Sequence, residues 1–361
     1  MSSGKSYNVG ILGATGTVGQ RFISLLATHP EFKVHALGAS ARSAGKPYPS
    51  AVKWKMSSPI PKCVQEMTVH VCDPKYFEGC HFVFSGLDSD VAGEIEKAFQ
   101  DADIPVFSNA KNYRMAPAVP LIVPTVNTSH FDVIPQQRAL YNTKKGFIVT
   151  NANCSTTGLT VPLKALQDAF GPLDKIAVQT MQAISGAGYP GVSSLDILDN
   201  VVPFISGEED KLETEPLKIL GSVGSDGASF QELSQTTISA HCNRVPVLDG
   251  HLECVSLSFH QKPAPTPEQV IEVLEKYTCE AQALGCYSAP EKAIVYDPSS
   301  DRPQPRLDRD NCKGQTVTVG RVRKCNIFDI KFTLLVHNTI LGAAGSGILN
   351  AEVAAAKGLF D

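Results

Sequence analysis

Charge of one sign is scarce in this 361-residue sequence: 32 Lys and Arg stand against 36 Asp and Glu, a formal net charge of −4. The chain as a whole therefore offers no electrostatic footprint for nucleic acid or an anionic membrane, and anionic small molecules must be met by local clusters. Paired cysteines are also missing. The ten cysteines, at 63, 72, 80, 154, 242, 254, 279, 286, 312 and 325, include no CxxC pair, and the nine histidines form no HxxxH or HExxH pattern. Scattered through a long chain, they read as reduced thiols, and no dedicated metal site is expected. Nor is there a long apolar run. The most apolar late stretch, residues 339–356, is rich in Gly and Ala and carries Asn350 and Glu352, which suits a packed helix better than a membrane span. The start, MSSGKSYNVGILGATG, passes from a short polar lead straight into a strand, without the basic region, apolar core and cleavage site of a signal peptide. The expectation is a cytoplasmic protein that binds small molecules and engages neither nucleic acid nor membrane.

At this length a single core no longer grows, so two domains are expected. Strand-like runs at 8–12, 34–39, 69–72, 82–85, 106–108, 121–123 and 147–150 alternate with helical patterns, the rhythm of a doubly wound parallel sheet. From about residue 174 the strands lengthen and alternate, at 175–183, 236–241, 251–260 and 316–324, which suggests a mixed sheet with helices on one face. Proline-dense stretches at 262–267 and 298–305 read as surface loops around a helix at 268–284. A last strand at 332–337 precedes the small-residue helix, which can pack back on the first domain. The expected α/β architecture is a Rossmann-type dinucleotide-binding domain, residues 1–152 and 338–361, around an inserted α+β domain with a mixed sheet, residues 153–337. Neither internal repeats nor low-complexity segments interrupt it.

Two segments carry chemistry. The string Gly13-Ala14-Thr15-Gly16-Thr17-Val18-Gly19 follows an apolar strand and opens an amphipathic helix. Glycines permit the tight turn and let backbone N–H groups approach a pyrophosphate at the helix N-terminus. At the end of the second strand, an acidic residue would hold a ribose 2′-hydroxyl and a basic one a 2′-phosphate. The run Ser40-Ala41-Arg42-Ser43 has no Asp or Glu, so NADP is the expected cofactor, with Gly13, Thr15, Gly16, Thr17, Val18, Ser40, Arg42 and Ser43 against it. Further on, Asn151-Ala152-Asn153-Cys154-Ser155-Thr156-Thr157 ends a strand and begins a helix with apolar residues at Leu159, Leu163, Leu166 and Phe170. A thiol at a helix N-terminus meets the positive end of the dipole, which favours thiolate; Cys154 is the expected nucleophile, and Asn153 with the following amides the expected oxyanion donors. His251 follows an Asp249-Gly250 turn and opens an alternating strand, a place from which an imidazole can project and exchange protons near neutral pH.

Taken together and in this order, GATGTVG, NANCST, QAISGAG, EEDK and RVPVLDGH resemble the aspartate-semialdehyde dehydrogenases, particularly the branch typical of fungi and archaea, over essentially the whole chain. The resemblance implies a cysteine thiolate that attacks an aldehyde, hydride transfer to NADP⁺, and cleavage of the thioester by phosphate; biosynthesis of lysine, threonine and methionine runs this backwards from an acyl phosphate. It implies Cys154 as the acyl-carrying cysteine, His251 as acid/base, Gln182 orienting the acyl group and Arg244 binding the α-carboxylate through its planar fork. Glu208 would face the substrate's ammonium, with Lys211 and Arg114 on phosphate, Asn109, Ser185, Gly186 and Asn338 on the nicotinamide side, and Ser85 also against the cofactor. The run Glu208-Glu209-Asp210-Lys211 departs from the family, which often has Trp where Asp210 stands, so the choice between Glu208 and Glu209 stays open here. The resemblance also implies a homodimer or homotetramer. An N-acetyl-glutamyl-phosphate reductase shares the fold and the chemistry, but its acylated substrate needs no carboxylate partner. A silent NADP-binding sensor would leave Cys154, His251 and Arg244 without a task.

Overall fold

The computed structural model describes residues 5–360; residues 1–4 and 361, the outer ends of the expected first domain, lie outside the described residues. Each of the seven early apolar runs forms a strand: β1 Tyr7–Leu12, β2 Phe32–Ala39, β3 Val69–Val71, β4 Phe82–Ser85, β5 Val106–Ser108, β6 Leu121–Ile122 and β7 Ile148–Asn151. They pair in parallel, in the order β3-β2-β1-β4-β5-β7-β6. Strands such as β4 and β7 are buried at every position, which is why they read as unbroken apolar runs. Strand order reverses between β1 and β4, and at such a switch point the carboxyl ends of the strands border a crevice.

The second sheet contains β8 Leu173–Gln182, β11 Thr237–Arg244, β12 His251–Phe259, β13 Ile294–Asp297, β14 Val317–Lys324 and β15 Ile330–Val336; β9 Ser222–Val223 and β10 Phe230–Gln231 form a separate small hairpin. Its order is β11-β8-β12-β15-β14-β13, with parallel and antiparallel pairs mixed. Alternation decides the faces. Val255, Leu257, Phe332 and Leu334 point into a core shared with helices Cys154–Phe170, Glu208–Ile219 and Pro267–Lys276. Lys175, Gln179, Ser239, His241 and Cys254 lie on the opposite face and are exposed.

Two expectations need correction. The helix anticipated at 268–284 is two helices, Pro267–Lys276 and Glu280–Ala283. Tyr277 turns extended (φ −62°, ψ 129°), its hydroxyl donates to the Thr125 carbonyl at 2.7 Å, and Cys279 caps the second piece, so tertiary bonding overrides a continuous helical period. The short parallel strand β13 was not anticipated, because its four residues lie between proline-rich turns.

After β15 the chain returns to the first sheet. A π-turn at Ile340–Ala344 leads into helix Gly345–Ala356, whose Ile348, Leu349, Val353 and Ala354 share one core with Val9, Ile11, Phe22, Phe82 and Phe84. This burial explains the Gly- and Ala-rich composition: the helix is covered on nearly every side, and small residues let its neighbours approach. Among the described residues no helix is long and apolar enough to cross a membrane.

Candidate active site

The glycine turn follows β1 with Gly13 in the left-handed region (φ 76°). A Cβ on Gly19 would lie 2.2 Å from the Gly13 carbonyl oxygen, so only glycine lets helix Thr17–Leu26 begin so close to the turn. No side chain caps that helix and no acidic residue occupies its first turn, which leaves a helix N-terminus suited to an anion. Gly13, Thr15, Gly16, Thr17 and Val18 line this turn. Ser40, Arg42 and Ser43 follow β2 beside it, since the Ala14 amide donates to the Gly38 carbonyl at 2.8 Å. Lys46, which the sequence reading passed over, donates to the Arg42 carbonyl at 2.8 Å and brings a second cation to this loop. Ser85 departs from its expected place: its hydroxyl is buried and donates to Glu96 at 2.6 Å, as Ser108 does at 2.7 Å. A carboxyl buried beneath the sheet's carboxyl edge draws both hydroxyls inward, away from the crevice.

Cys154 is the first residue of helix Cys154–Phe170. Its Sγ lies 3.1 Å from His251 Nε2, joining positions 97 residues apart. His251, Gln182 and Arg244 occupy adjacent strand ends of the second sheet: Arg244 pairs with Gln182, and Leu252 with Met181, which sets His251 next to Gln182. One row thus carries the guanidinium, the amide and the imidazole. The Ala183 amide donates to His251 Nδ1 at 3.0 Å and the Ala183 carbonyl accepts from Arg244 Nη1 at 2.7 Å, so the backbone of one residue orients both side chains. With Nδ1 accepting, the neutral ring carries its proton on Nε2 and donates it toward the sulfur. Gly186 abuts this group: a Cβ there would meet Arg244 Nη1 at 2.9 Å and His251 Cε1 at 3.3 Å. Gly342, which the sequence reading missed within a run of small residues, supports Cys154 from below, where a Cβ would come within 2.8 Å of the cysteine Cβ. Asn338 accepts from the Gly250 amide at 2.8 Å and donates to Ser185 at 2.8 Å, holding the turn before His251. Asn109 is fixed by Asn151, which Asn350 of the last helix holds in turn.

The oxyanion role expected of Asn153 changes. Its Oδ1 caps the helix by accepting from the Ser155 and Thr156 amides at 3.0 and 3.3 Å, and its Nδ2 donates to both Glu208 oxygens at 3.0 and 2.8 Å. An Asn at N-cap satisfies the orphan amides of the helix, so those amides and the side chain are already committed. Glu208, rather than Glu209, faces this site; Glu209 is turned to the Cys242 amide. Lys211 pairs with Glu208 at 2.6 Å and Gln182 reaches the same carboxylate at 3.3 Å. Although burial opposes ionisation, Lys211, Asn153 and Gln182 hold Glu208 below the usual carboxylate range.

The thiol departs from expectation as well. Burial, followed by the nearby Glu208, pushes Cys154 up to about 12, against the opposing pull of Arg244, Arg114 and Lys211. Burial, Arg244 and His337 push His251 down to about 3. Desolvation outweighs the helix terminus, and the pair rests as neutral thiol and neutral imidazole.

Arg114 is not a free cation. It pairs with Glu215 at 2.8 Å and donates to the Asn109 carbonyl at 2.9 Å. Glu215 and Lys218, on the same helix as Glu208 and Lys211, escaped the sequence reading. The buried Lys218 ammonium donates to the carbonyls of Arg114, Ala116 and Val119 at 2.7, 2.9 and 2.9 Å, fastening the loop that carries Arg114. The signal was present as a stripe at 208, 211, 215 and 218, one face of a helix.

Family models match most of the chain: a semialdehyde dehydrogenase NAD binding domain over residues 8–134 and a semialdehyde dehydrogenase dimerisation domain over residues 163–341. An aspartate-semialdehyde dehydrogenase of Schizosaccharomyces pombe is 65% identical over 353 residues, 97% of this chain and 98% of that one. One from Cryptococcus neoformans is 60% identical over 363 residues, 99% of this chain and 100% of that one. Among solved structures, aspartate semialdehyde dehydrogenase with NADP from Candida albicans superimposes with a TM-score of 0.92 at 53% identity, covering 98% of this chain and 100% of that one.

The raised thiol has a direct consequence. A group whose neutral form is favoured gains thiolate only as pH rises, so inactivation of the ligand-free protein by iodoacetamide should climb roughly tenfold per pH unit from 7 to 9 without a plateau. Glu208→Gln removes the charge that opposes the thiolate and should accelerate alkylation at pH 8. A plateau below pH 8, or slower alkylation in the variant, contradicts the electrostatics described above.

Proposed function

The chain belongs to the aspartate-semialdehyde dehydrogenase family, and from that membership we propose that it converts L-4-aspartyl phosphate to L-aspartate 4-semialdehyde with NADPH, reversibly, through a thioester on Cys154. The observation that carries this reading is the 3.1 Å contact of Cys154 with His251 at the end of a row holding Gln182 and Arg244, opposite an ionised Glu208. The uncapped glycine turn and the basic, acid-free loop after β2 fit NADP, held by Gly13, Thr15, Gly16, Thr17 and Val18 at the pyrophosphate and by Ser40, Arg42 and Ser43 at the 2′-phosphate. When bound, this cofactor supplies the hydride that reduces the thioester.

The protein's own groups do the rest. Arg244 holds the substrate's α-carboxylate and Glu208 its ammonium, which fixes the distal acyl carbon over the sulfur. The substrate ammonium and the three basic residues favour thiolate, Nε2–H of His251 donates a hydrogen bond to the sulfur, and the thiol's proton passes to the departing phosphate. The thiolate forms a bond to the acyl carbon as the bond to phosphate breaks, with Lys211 and Arg114 stabilising the leaving anion. After reduction, Nε2–H of His251 stabilises the oxyanion of the tetrahedral adduct by a hydrogen bond; collapse re-forms the C=O, breaks the C–S bond and releases the aldehyde and a thiolate that the same N–H then solvates. Gln182, bonded to Glu208, orients the acyl group. The Cys154 amide, first in its helix, is the oxyanion donor left beside the sulfur once Asn153 has capped the next two. An N-acetylated substrate has no ammonium for Glu208, and that separates the reading from its nearest rival.

Residues 1–152 with 338–361 form the cofactor domain in this reading and 153–337 the catalytic domain, supported by separate cores around the first and second sheets. The matched dimerisation domain supports a homo-oligomer, and we assign a homodimer to the open face of the second sheet, where Cys254 lies exposed near the middle. Cytoplasmic residence, in amino-acid biosynthesis, belongs to the same reading.

Phosphate-dependent reduction of NADP⁺ should proceed with aspartate semialdehyde and not with N-acetyl-glutamate semialdehyde, and Cys154→Ala should lose many decades of rate while still binding NADP. Turnover of the acetylated substrate alone, or retention of more than about one per cent of the rate in the variant, sinks the assignment. Cys254→Arg should dissociate the dimer in sedimentation, because it buries a charge at the proposed contact. An unchanged assembly would put the interface elsewhere.

A further inference from the structure

Glu215 has no part in the family pattern read from the sequence, yet it touches both halves of the site. One carboxylate oxygen accepts from Arg114 Nη1 at 2.8 Å and the other accepts from the backbone amide of Asn153 at 2.7 Å, one residue before the nucleophile. Arg114 and Glu215 are almost wholly buried, with side chains 10% and 3% exposed, so solvent screens this pair weakly. The other terminal nitrogen of Arg114 donates to the Asn109 carbonyl at 2.9 Å, and its Nε is buried with no hydrogen-bond partner among the described residues. The guanidinium is therefore held on one edge by a carboxylate and on another by a carbonyl. Lys218, one turn further along the helix, anchors the loop behind it through three carbonyls.

We propose that Glu215 is a positioning residue for the phosphate half of the reaction: acting through Arg114, it fixes the guanidinium relative to the nucleophile turn. This rests on the reading of Arg114 as a phosphate-binding group. A carboxylate is the group the place requires, since both contacts are donors and each needs an acceptor oxygen. Glutamine offers one acceptor and one donor, so it can serve only one of the two partners. Aspartate keeps the charge but is a methylene short of spanning both.

The test compares Glu215→Gln, Arg114→Ala and the double variant by steady-state kinetics and by the NADPH burst in the absence of phosphate. Glu215→Gln should raise the phosphate KM about tenfold or more, the loss expected for a misaligned charged hydrogen bond, while the semialdehyde KM and the phosphate-free burst change by less than about threefold. In the Arg114→Ala background the same substitution should leave the phosphate KM where it is, because its effect passes through the arginine. A merely structural role would instead lower the melting temperature and depress burst and turnover alike, with equal effects in both backgrounds, and that result overturns the proposal. If Glu215→Gln fails to fold, Glu215→Asp is measured identically, with the same phosphate-selective effect expected. Should Arg114→Ala alone leave the phosphate KM unchanged, the assignment of Arg114 fails first, and the role of Glu215 with it.

Discussion

Asn153 is gripped from two sides by one helix: Glu208 takes its side-chain amide and Glu215 its backbone amide. The Glu208 half of that grip sets the nucleophile, and its Glu215 half ties the same turn to Arg114. Fixed in this way, Asn153 presents its oxygen to the amides of Ser155 and Thr156, which starts helix Cys154–Phe170 at a defined residue and angle. The start of that helix sets the sulfur against His251, and His251 is held in turn by the Ala183 amide at the end of β8. A helix of the second domain, the last strand of the first sheet and a strand end of the second sheet thus share one hydrogen-bonded unit. Precision of this kind matters because a reacting pair displaced by an ångström loses much of its rate.

The same grip has an electrostatic side. One carboxylate, Glu208, bears on a sulfur that must become an anion, and in the ligand-free site burial and Glu208 together keep the proton on it. Arg114, Lys211 and Arg244 oppose them, but Glu215 and Glu208 already occupy the first two. The balance is shifted by a substrate whose ammonium engages Glu208, since that relieves the charge nearest the thiol. On the reading proposed above, activation of the nucleophile is tied to the arrival of the correct ligand, and stray electrophiles meet a neutral thiol. Glu253, two residues after His251 on the same face of β12, extends the pattern: it is buried, with neither oxygen hydrogen-bonded among the described residues, and burial and the nearby Glu208 push its carboxyl well above the usual carboxylate range.

Much of this was legible in the sequence, for physical reasons that can be named. Parallel strands buried on both faces leave mostly apolar runs, so β1 to β7 could be read within a residue or two at most ends, and the alternating strand after the Asp249-Gly250 turn marked His251 as a side chain able to project. Cys154, between an N-cap asparagine and an amphipathic helix, was visible from local pattern alone. The misses share a cause: they depend on partners distant in sequence. Ser85 lies on an expected strand, but the buried Glu96 that claims its hydroxyl is eleven residues away and gives no local signal. Glu215 and Lys218 resemble a solvated charge run until Arg114 and its loop are folded against them, about a hundred positions earlier in the chain. The thiol's upward shift likewise arises from burial and from Glu208, neither of which a helix N-terminus reveals. The break at Tyr277 follows from a hydroxyl bonded to Thr125 across 152 residues.

Mixing the protein with aspartate semialdehyde and NADP⁺ in the absence of phosphate, then mapping the modified peptide by mass spectrometry, bears most directly on the role of Cys154. One acyl group per active site should accumulate on Cys154, with an equivalent burst of NADPH, and phosphate should release it as the acyl phosphate. An adduct on any of the other nine cysteines, or a burst with no covalent adduct, would contradict the thioester route and the site built around it.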